Sequence, residues 1–381
     1  MPSLTFYPLG NADCCRINLA NGDQVLFDFA AMRDPNDPND RRCDLAAEVQ
    51  KDMEAAKRDA FAAVAFTHLD NDHVKGAQDF FYLEHAECYQ KDNRFKINEL
   101  WVPAAAILEE GLADDARIIR AEARHRLKKG ERIRVFSRPD ALKEWLKKEG
   151  ISYESRKHLF VDAGQLVPTF TLAADGLEFF AHSPFASRLN ECEVIDRNTD
   201  SIVVQVTFSV GAKLTKVILG SDVDHEAIAE IVKITKYHGR EERLEWDVFK
   251  LLHHCSYTGI GPERGEDKTE PTEATKWLYE EKGLSKAIMI STSCPIPVKG
   301  SRDDKGVQPP HRQAYAYHQG HTSGRAGKLK VTMEHPRQSA PERLVIEIDG
   351  TKARLVESFF GGASVLSSRP APRAGNGWNA Y

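Results

Sequence analysis

The stretch Thr67-His68-Leu69-Asp70-Asn71-Asp72-His73 decides how the rest of the chain is read. Four potential metal ligands, His68, Asp70, Asp72 and His73, fall within six residues. Before them, Phe61-Ala-Ala-Val-Ala-Phe66 is apolar, uncharged and of strand length. After them, Val74, Ala77, Phe80 and Phe81 recur at helical spacing. The cluster is therefore predicted on a loop that leaves a buried strand and enters a helix, where a rigid scaffold commonly places chemistry. Imidazoles and carboxylates at this density repel one another or stay poorly solvated unless a cation joins them, and a transition metal does so. An Asx-rich turn with Asp72 as helix cap is the plainer alternative, but a cap needs one such side chain, not four.

Working outward, 381 residues suffice for one large or two ordinary domains, and a net charge of -5 excludes nothing. Seven cysteines without a Cys-x-x-Cys pair read as reduced thiols of a cytoplasmic protein, not as a disulfide frame. No basic region followed by an apolar run opens the chain, and no segment approaches membrane-spanning length, so neither signal peptide nor membrane partner is expected. There is no Walker-type loop, Gly-x-Gly-x-x-Gly fingerprint or Gly-x-Ser-x-Gly elbow.

His68-x-Asp70-x-Asp72-His73 after an apolar strand resembles the signature of the metallo-β-lactamase fold superfamily, usually His-x-His-x-Asp-His. Asp70 in the second position is similar to the variant in the metallo-hydrolase domain of ComEC-type DNA-uptake channels and their soluble relatives. Other stretches resemble the family's motifs in order. Gly10-Asn-Ala-Asp13 and Phe27-Asp28-Phe-Ala30 resemble its opening motifs with one glycine missing from each. Asp13 and Asp28 are candidate supports of the metal loop, although Asp28 reads equally well as a strand end. His182, closing the strand Leu177-Glu-Phe-Phe-Ala, is the candidate third motif. Lys216-Val-Ile-Leu-Gly-Ser-Asp222 resembles a strand ending in Gly-Asp, with Ser221 inserted, and Asp224 is available to cap the next helix in place of Asp222. Leu251-Leu-His253-His254-Cys255-Ser resembles His-His-Gly-Ser, with Cys255 where glycine is usual, and leaves His253 and His254 as alternatives. His311, after Gln308-Pro-Pro, is a candidate proton donor, while His318 and His321 are expected in solvent.

The resemblance implies an α/β fold, a four-layer αβ/βα sandwich over residues 1–363. Residues 84–165 are expected as a largely helical, basic insertion, and 364–381 as a loosely ordered tail. It implies two divalent ions (Zn, Mn or Fe): His68, Asp70 and His182 on one, Asp72, His73 and His253 or His254 on the other, Asp222 between. Asp72, Asp222 and His311 would then serve catalysis through a metal-bound hydroxide. Between Arg117 and Lys157 lie fourteen Lys/Arg against six Asp/Glu, and Arg117, Arg120, Arg124, Lys128 and Arg132 recur at helical spacing. That stripe reads either as a solvated helix face or as steering for an anionic substrate such as nucleic acid. The first functional reading is a metal-dependent phosphodiesterase or nuclease. The alternatives are a hydrolase of a lactone, lactam or thioester, and a non-catalytic sensor or interaction module stabilised by metal. Oligomeric state is not legible in the sequence.

Overall fold

The computed structural model describes residues 1–91, 93–191 and 195–357, so the tail expected over 364–381 lies outside the described residues. The chain opens on three antiparallel strands, β1 (Ser3–Phe6), β2 (Cys15–Asn18) and β3 (Gln24–Phe27). The turn at Asn21-Gly22 between β2 and β3 needs a left-handed residue, and Gly22 supplies it at φ 86°. Helix α1 (Leu45–Ala55) leads to β4 (Ala63–Ala65), which pairs parallel with β3. The short helix α2 (Asn71–Val74) follows, with Asp70 as its N-terminal flank and no side-chain cap.

Residues 84–165 depart from the helical insertion expected of them. They contain helices α3 (Asp114–Lys129) and α4 (Asp140–Lys148), but also β5 (Leu100–Pro103), β6 (Ile133–Phe136) and β7 (Phe160–Val161). These three strands extend the sheet in parallel from β4. The strands are short and apolar without alternation, because both faces are covered, and so lack the period-two signal that marks a strand in sequence.

A second sheet follows in chain order: β8 (Leu177–Ser183), β9 (Val203–Val210), β10 (Lys213–Leu219), β11 (Trp246–Lys250), β12 (Gly283–Ser291) and β13 (Lys328–Val331). Its first three strands are antiparallel, and β10 through β13 run parallel. Helices α5 (His225–Tyr237) and α6 (Arg312–Gly324) belong to this half. Finally β14 (Leu344–Ile348) and β15 (Ala353–Leu355) return to the first sheet, giving the order β7-β6-β5-β4-β3-β2-β1-β14-β15.

The apolar core falls into three clusters. One joins the inner faces of both sheets, with Phe27, Trp101, Phe179, Val206 and Val248 among its members. A second lies between the first sheet and α1, α3 and α4, and a third between the second sheet, α5 and α6. Both sheets are thus buried on two sides. The carboxyl ends of β3, β4, β10, β11 and β12 emerge on one edge, and in mixed α/β sheets that edge is where ligands bind.

Candidate metal centre

Each strand end on that edge delivers one polar residue or a pair. Asp28 follows β3 in a left-handed conformation (φ 59°), which an aspartate tolerates better than most residues. Its Oδ1 accepts the Thr67 backbone N–H (2.7 Å), and its Oδ2 accepts the Thr67 hydroxyl (2.8 Å) and the His73 Nδ1–H (2.9 Å). A carboxylate on Nδ1 fixes the imidazole tautomer and leaves Nε2 as the free donor atom. Ser221, the residue inserted beside Asp222, donates to the Thr67 hydroxyl (2.9 Å) and so ties the two sheets together beneath the cluster. Gly220 lets Leu252 pack closely here: a Cβ would lie 2.3 Å from the end of that side chain, which would have to move. Asp224 caps α5 through the amides of Glu226 and Ala227 (3.0 and 2.9 Å), leaving Asp222 free of that duty.

The ligand atoms converge without hydrogen-bond partners. His73 Nε2 lies 3.5 Å from Asp222 Oδ2, and His254 Nε2 lies 3.3 Å from both Asp222 Oδ2 and Asp72 Oδ2. His68 Nε2 lies 3.5 Å from Asp70 Oδ2, with its ring 3.9 Å from that of His73. The Nε2 atoms of His68, His73 and His254, and Asp222 Oδ1, are all buried with no hydrogen-bond partner. Buried polar atoms are rarely left so, and bound cations would satisfy all of them. Asp13, His73, Asp222 and His254 in particular offer ligand atoms all within 4.8 Å of one another. The donor set of imidazole nitrogen and carboxylate oxygen suits a divalent first-row metal.

The electrostatics agree with this reading. Burial opposes charge on His73 and His254, yet the facing carboxylates, Asp28 and Asp222 for the first, Asp222 and Asp13 for the second, outweigh it. His73 is pushed well above the ordinary range, and His254 to about 10. Burial would raise the Asp222 pKa, but His254 and His73 hold it far below the usual carboxylate range. The pocket thus demands positive charge, which protons or a metal can supply. One buried cation is built in: Lys250, at the end of β11, is bonded to Asp13 and lies 3.9 Å from Asp222. At the mouth, Arg197 holds Glu109 with two charge-assisted bonds (2.8 and 2.6 Å) and is bonded to Asp70. Asp70, Asp72 and Arg197 keep 34%, 31% and 36% of their side chains exposed.

His254 is the histidine held in place: it is buried and donates Nδ1–H to the Thr292 carbonyl (2.8 Å). His253 is only partly covered and stands 3.9 Å from Asp222. Both, with Cys255, adopt left-handed conformations (φ 43°, 51° and 65°). Cys255 is buried in the core of the second half, and burial pushes its thiol up to about 12, so it acts as packing.

Two expected site residues are placed elsewhere. His182 is not brought to the cluster. Along β8, Leu177, Phe179 and Ala181 face the inter-sheet core, so His182 faces the opposite side. There it donates Nε2–H to the Arg243 carbonyl (2.9 Å) beside Phe180 and Ile231, and burial lowers its pKa to about 4. His311 accepts the Tyr257 N–H on Nδ1 (3.3 Å) and donates Nε2–H to the Val307 carbonyl (3.1 Å), which leaves neither ring nitrogen free for proton transfer. His318, expected in solvent, is buried against Tyr279 at 4.8 Å. The basic stripe is largely internally paired: Arg120 and Arg124 with Glu110, Lys128 with Glu149, Arg132 with Glu84. Sequence reading missed Lys250 and Arg197. A lone lysine inside the apolar Val248-Phe-Lys-Leu-Leu252 was a usable signal, since lysine is seldom buried unpaired. Arg197 carried none.

No protein-family model matches the chain, and no curated protein matches it. Among solved structures it is similar to one described as a new diphosphatase from the PhnP family. The identity is 11% over 88% of this chain and 84% of that one, and the TM-score is 0.30. A likeness at that level carries no argument about this chain.

Proposed function

We propose that the chain is a metal-dependent hydrolase on a metallo-β-lactamase-type αβ/βα sandwich, acting on a phosphodiester. The observation that carries the reading is the convergence of two buried, partnerless imidazole nitrogens, from His73 and His254, on Asp222, with the equally partnerless His68 nitrogen beside Asp70. His73, His254, Asp72 and Asp222 would hold one divalent ion, and His68 and Asp70 the best part of a second site. Zn, Mn and Fe all suit a mixed nitrogen and oxygen set. Bound there, such ions supply an acidified water and take up developing negative charge.

The chain's own residues prepare that chemistry. Asp28 and the Thr292 carbonyl each accept an Nδ1–H bond, so the Nε2 atoms of His73 and His254 face inward and would offer lone pairs once a metal replaces their protons. Lys250 offsets part of the Asp13 and Asp222 charge and keeps the cluster from excess negative potential. Arg197, at the rim and paired to Glu109 and Asp70, would offer its guanidinium to an incoming phosphate in exchange for one of those carboxylates. Ser221 lies 3.3 Å from His68 Nδ1, but its hydroxyl is buried and donates to Thr67 beneath the cluster, in keeping with direct attack by water. A ComEC-like role on nucleic acid and a cytoplasmic setting are parts of the same proposal.

One observation favours the second reading, a small carbonyl substrate. A cavity of about 640 Å³ lined by Pro295, Ile296, Val298, Val307 and Pro309 reaches Asn11, two residues before Asp13, and its lining is chiefly apolar. The discriminating experiment is hydrolysis by Mn²⁺- or Zn²⁺-loaded protein of bis-p-nitrophenyl phosphate and linear DNA, beside a lactone and a thioester. Phosphodiester cleavage that is lost in Asp222→Ala supports the proposal. Cleavage of the carbonyl substrates alone would replace it with the second reading.

A further inference from the structure

A second cavity, of about 460 Å³, opens on the same sheet edge as the metal centre but away from it. Its walls come from the residues after β6 (Ser137, Arg138), after β7 (Asp162) and after β8 (Phe185), with Lys143 of α4 and, from the segment before β7, Tyr153 and Lys157. β6 lies two strands from β4, roughly 10 Å along the sheet. The cavity is therefore separate from the ligand cluster.

Three features point to what it binds. Ser137 is 1% exposed, and its hydroxyl has no hydrogen-bond partner. Its backbone is left-handed (φ 73°) while its N–H is tied to the Val161 carbonyl (2.8 Å), so the hydroxyl is held at the cavity wall by a strained turn. Among charged lining residues, Arg138, Lys143 and Lys157 stand against Asp162 alone. Arg138 is committed to Asp162 through Nε (2.7 Å), with Nη1 directed at the Tyr153 hydroxyl (3.4 Å). Lys143 pairs with the exposed Asp140 (2.6 Å) and stands over the Tyr153 ring (5.8 Å), and Lys157 pairs with the exposed Glu154 (3.7 Å). Such surface pairs contribute little, so both ammonium groups can turn to a ligand. Finally, the Tyr153 ring is stacked on Phe160 (5.4 Å, 11°) and fixed as a flat wall, and Phe185 adds a second aromatic surface.

We infer that this cavity is a binding site for a phosphomonoester of mononucleotide size, with the phosphate at Ser137, Lys143 and Lys157 and the ring system against Tyr153. A hydroxyl donor among cations recognises phosphate oxygens, and the volume is too large for inorganic phosphate alone. The site requires no metal and holds whether or not the hydrolase reading does.

The test is calorimetric titration of the metal-free Asp222→Ala protein with AMP, with adenosine and inorganic phosphate as comparisons. Wild type in EDTA is run beside it, and binding at this cavity is told from binding at the metal centre by its response to the Lys143→Glu/Lys157→Glu change. AMP is expected to bind more tightly than either comparison. Lys143→Glu/Lys157→Glu, two exposed positions that leave the fold alone, should weaken it at least about tenfold. Ser137→Ala should weaken it by about tenfold, the loss of one hydrogen bond to a charged group. No AMP binding up to about 10 mM, adenosine binding as tightly as AMP, or an affinity unchanged by the double charge reversal would each overturn the inference.

Discussion

Replacing Lys250 by methionine removes the one built-in cation beneath the cluster while keeping the side chain's length. Its ammonium is bonded to Asp13 and lies 3.9 Å from Asp222, and all three groups are buried. A charge pair about 4 Å apart at an effective dielectric near 20 is worth about 4 kcal/mol, and breaking a buried pair by removing one partner costs about 3–5 kcal/mol. Protonation sets a ceiling. Once holding Asp13 ionised costs more than moving its pKa from the ordinary 3.8 up to the solution pH, it takes up a proton instead. That ceiling is about 4 kcal/mol at pH 7 and about 2 kcal/mol at pH 5. The neighbouring imidazolium groups compensate part of the loss, so Lys250→Met is expected to destabilise the metal-free protein by about 2–4 kcal/mol at pH 7. The deficit should shrink at pH 5, and it should shrink again when Mn²⁺ replaces EDTA, because a bound cation restores the missing charge. Asp13→Asn/Lys250→Met should recover much of the loss, since no carboxylate is then left unpaired at Asp13. Urea denaturation of wild type, Lys250→Met, Asp13→Asn and the double variant at both pH values measures this. A Lys250→Met protein within about 0.5 kcal/mol of wild type in EDTA at pH 7, or a double variant worse than the sum of the singles, would refute the reasoning.

Asp28→Asn should lower metal affinity by about 10–100-fold through His73 orientation while leaving every ligand in place, read by competition against a chromophoric chelator. His182→Phe should leave metal content unchanged, because its ring faces α5; a stoichiometric loss of metal would return it to the ligand set. Glu122 gives a pH effect remote from the site. Burial alone would raise its pKa from 4.5, but the His85 ring and Arg126 outweigh it and bring it to about 2. A depressed carboxylate stabilises the fold above its unfolded pKa and loses that contribution as pH falls through the folded value. Wild type should therefore lose about 2 kcal/mol more between pH 5 and pH 3 than Glu122→Gln does, measured by denaturant midpoints. Cys255→Val should cost more than about 2 kcal/mol in thermal or urea unfolding, because a β-branched residue is poorly accommodated at φ 65°.

Much of the site was legible because its ligands are crowded in sequence. His68 to His73 occupy one loop, and Asp222 and His254 each end an apolar strand, where the pattern itself marks the edge. His182 misled because ending a strand does not say which face a residue takes, and the inner face of β8 belongs to Phe179 and Ala181. His311 misled because its two ring nitrogens are occupied by backbone groups, one of them at Tyr257, 54 positions away, and the other at Val307 in its own loop. The surface pairs along the basic stripe were not legible for a similar reason: Glu110, Glu149 and Glu84 lie outside it in sequence. The strands within 84–165 escaped because parallel strands covered on both faces carry no alternation. Arg197 reaches Asp70 from 127 positions away, a contact that only the packing of two halves creates.

The most direct measurement is elemental analysis of the purified protein after loading with Mn²⁺, Zn²⁺ or Fe²⁺ and desalting, beside His73→Ala and Asp222→Ala/His254→Ala. Both variants should first be checked for folding by circular dichroism. The expected result is metal retained by the wild type, reduced in His73→Ala and abolished in the folded double variant. A wild type that holds no metal under any loading condition, or a double variant that holds as much as the wild type, would contradict the assignment of this cluster as a metal centre.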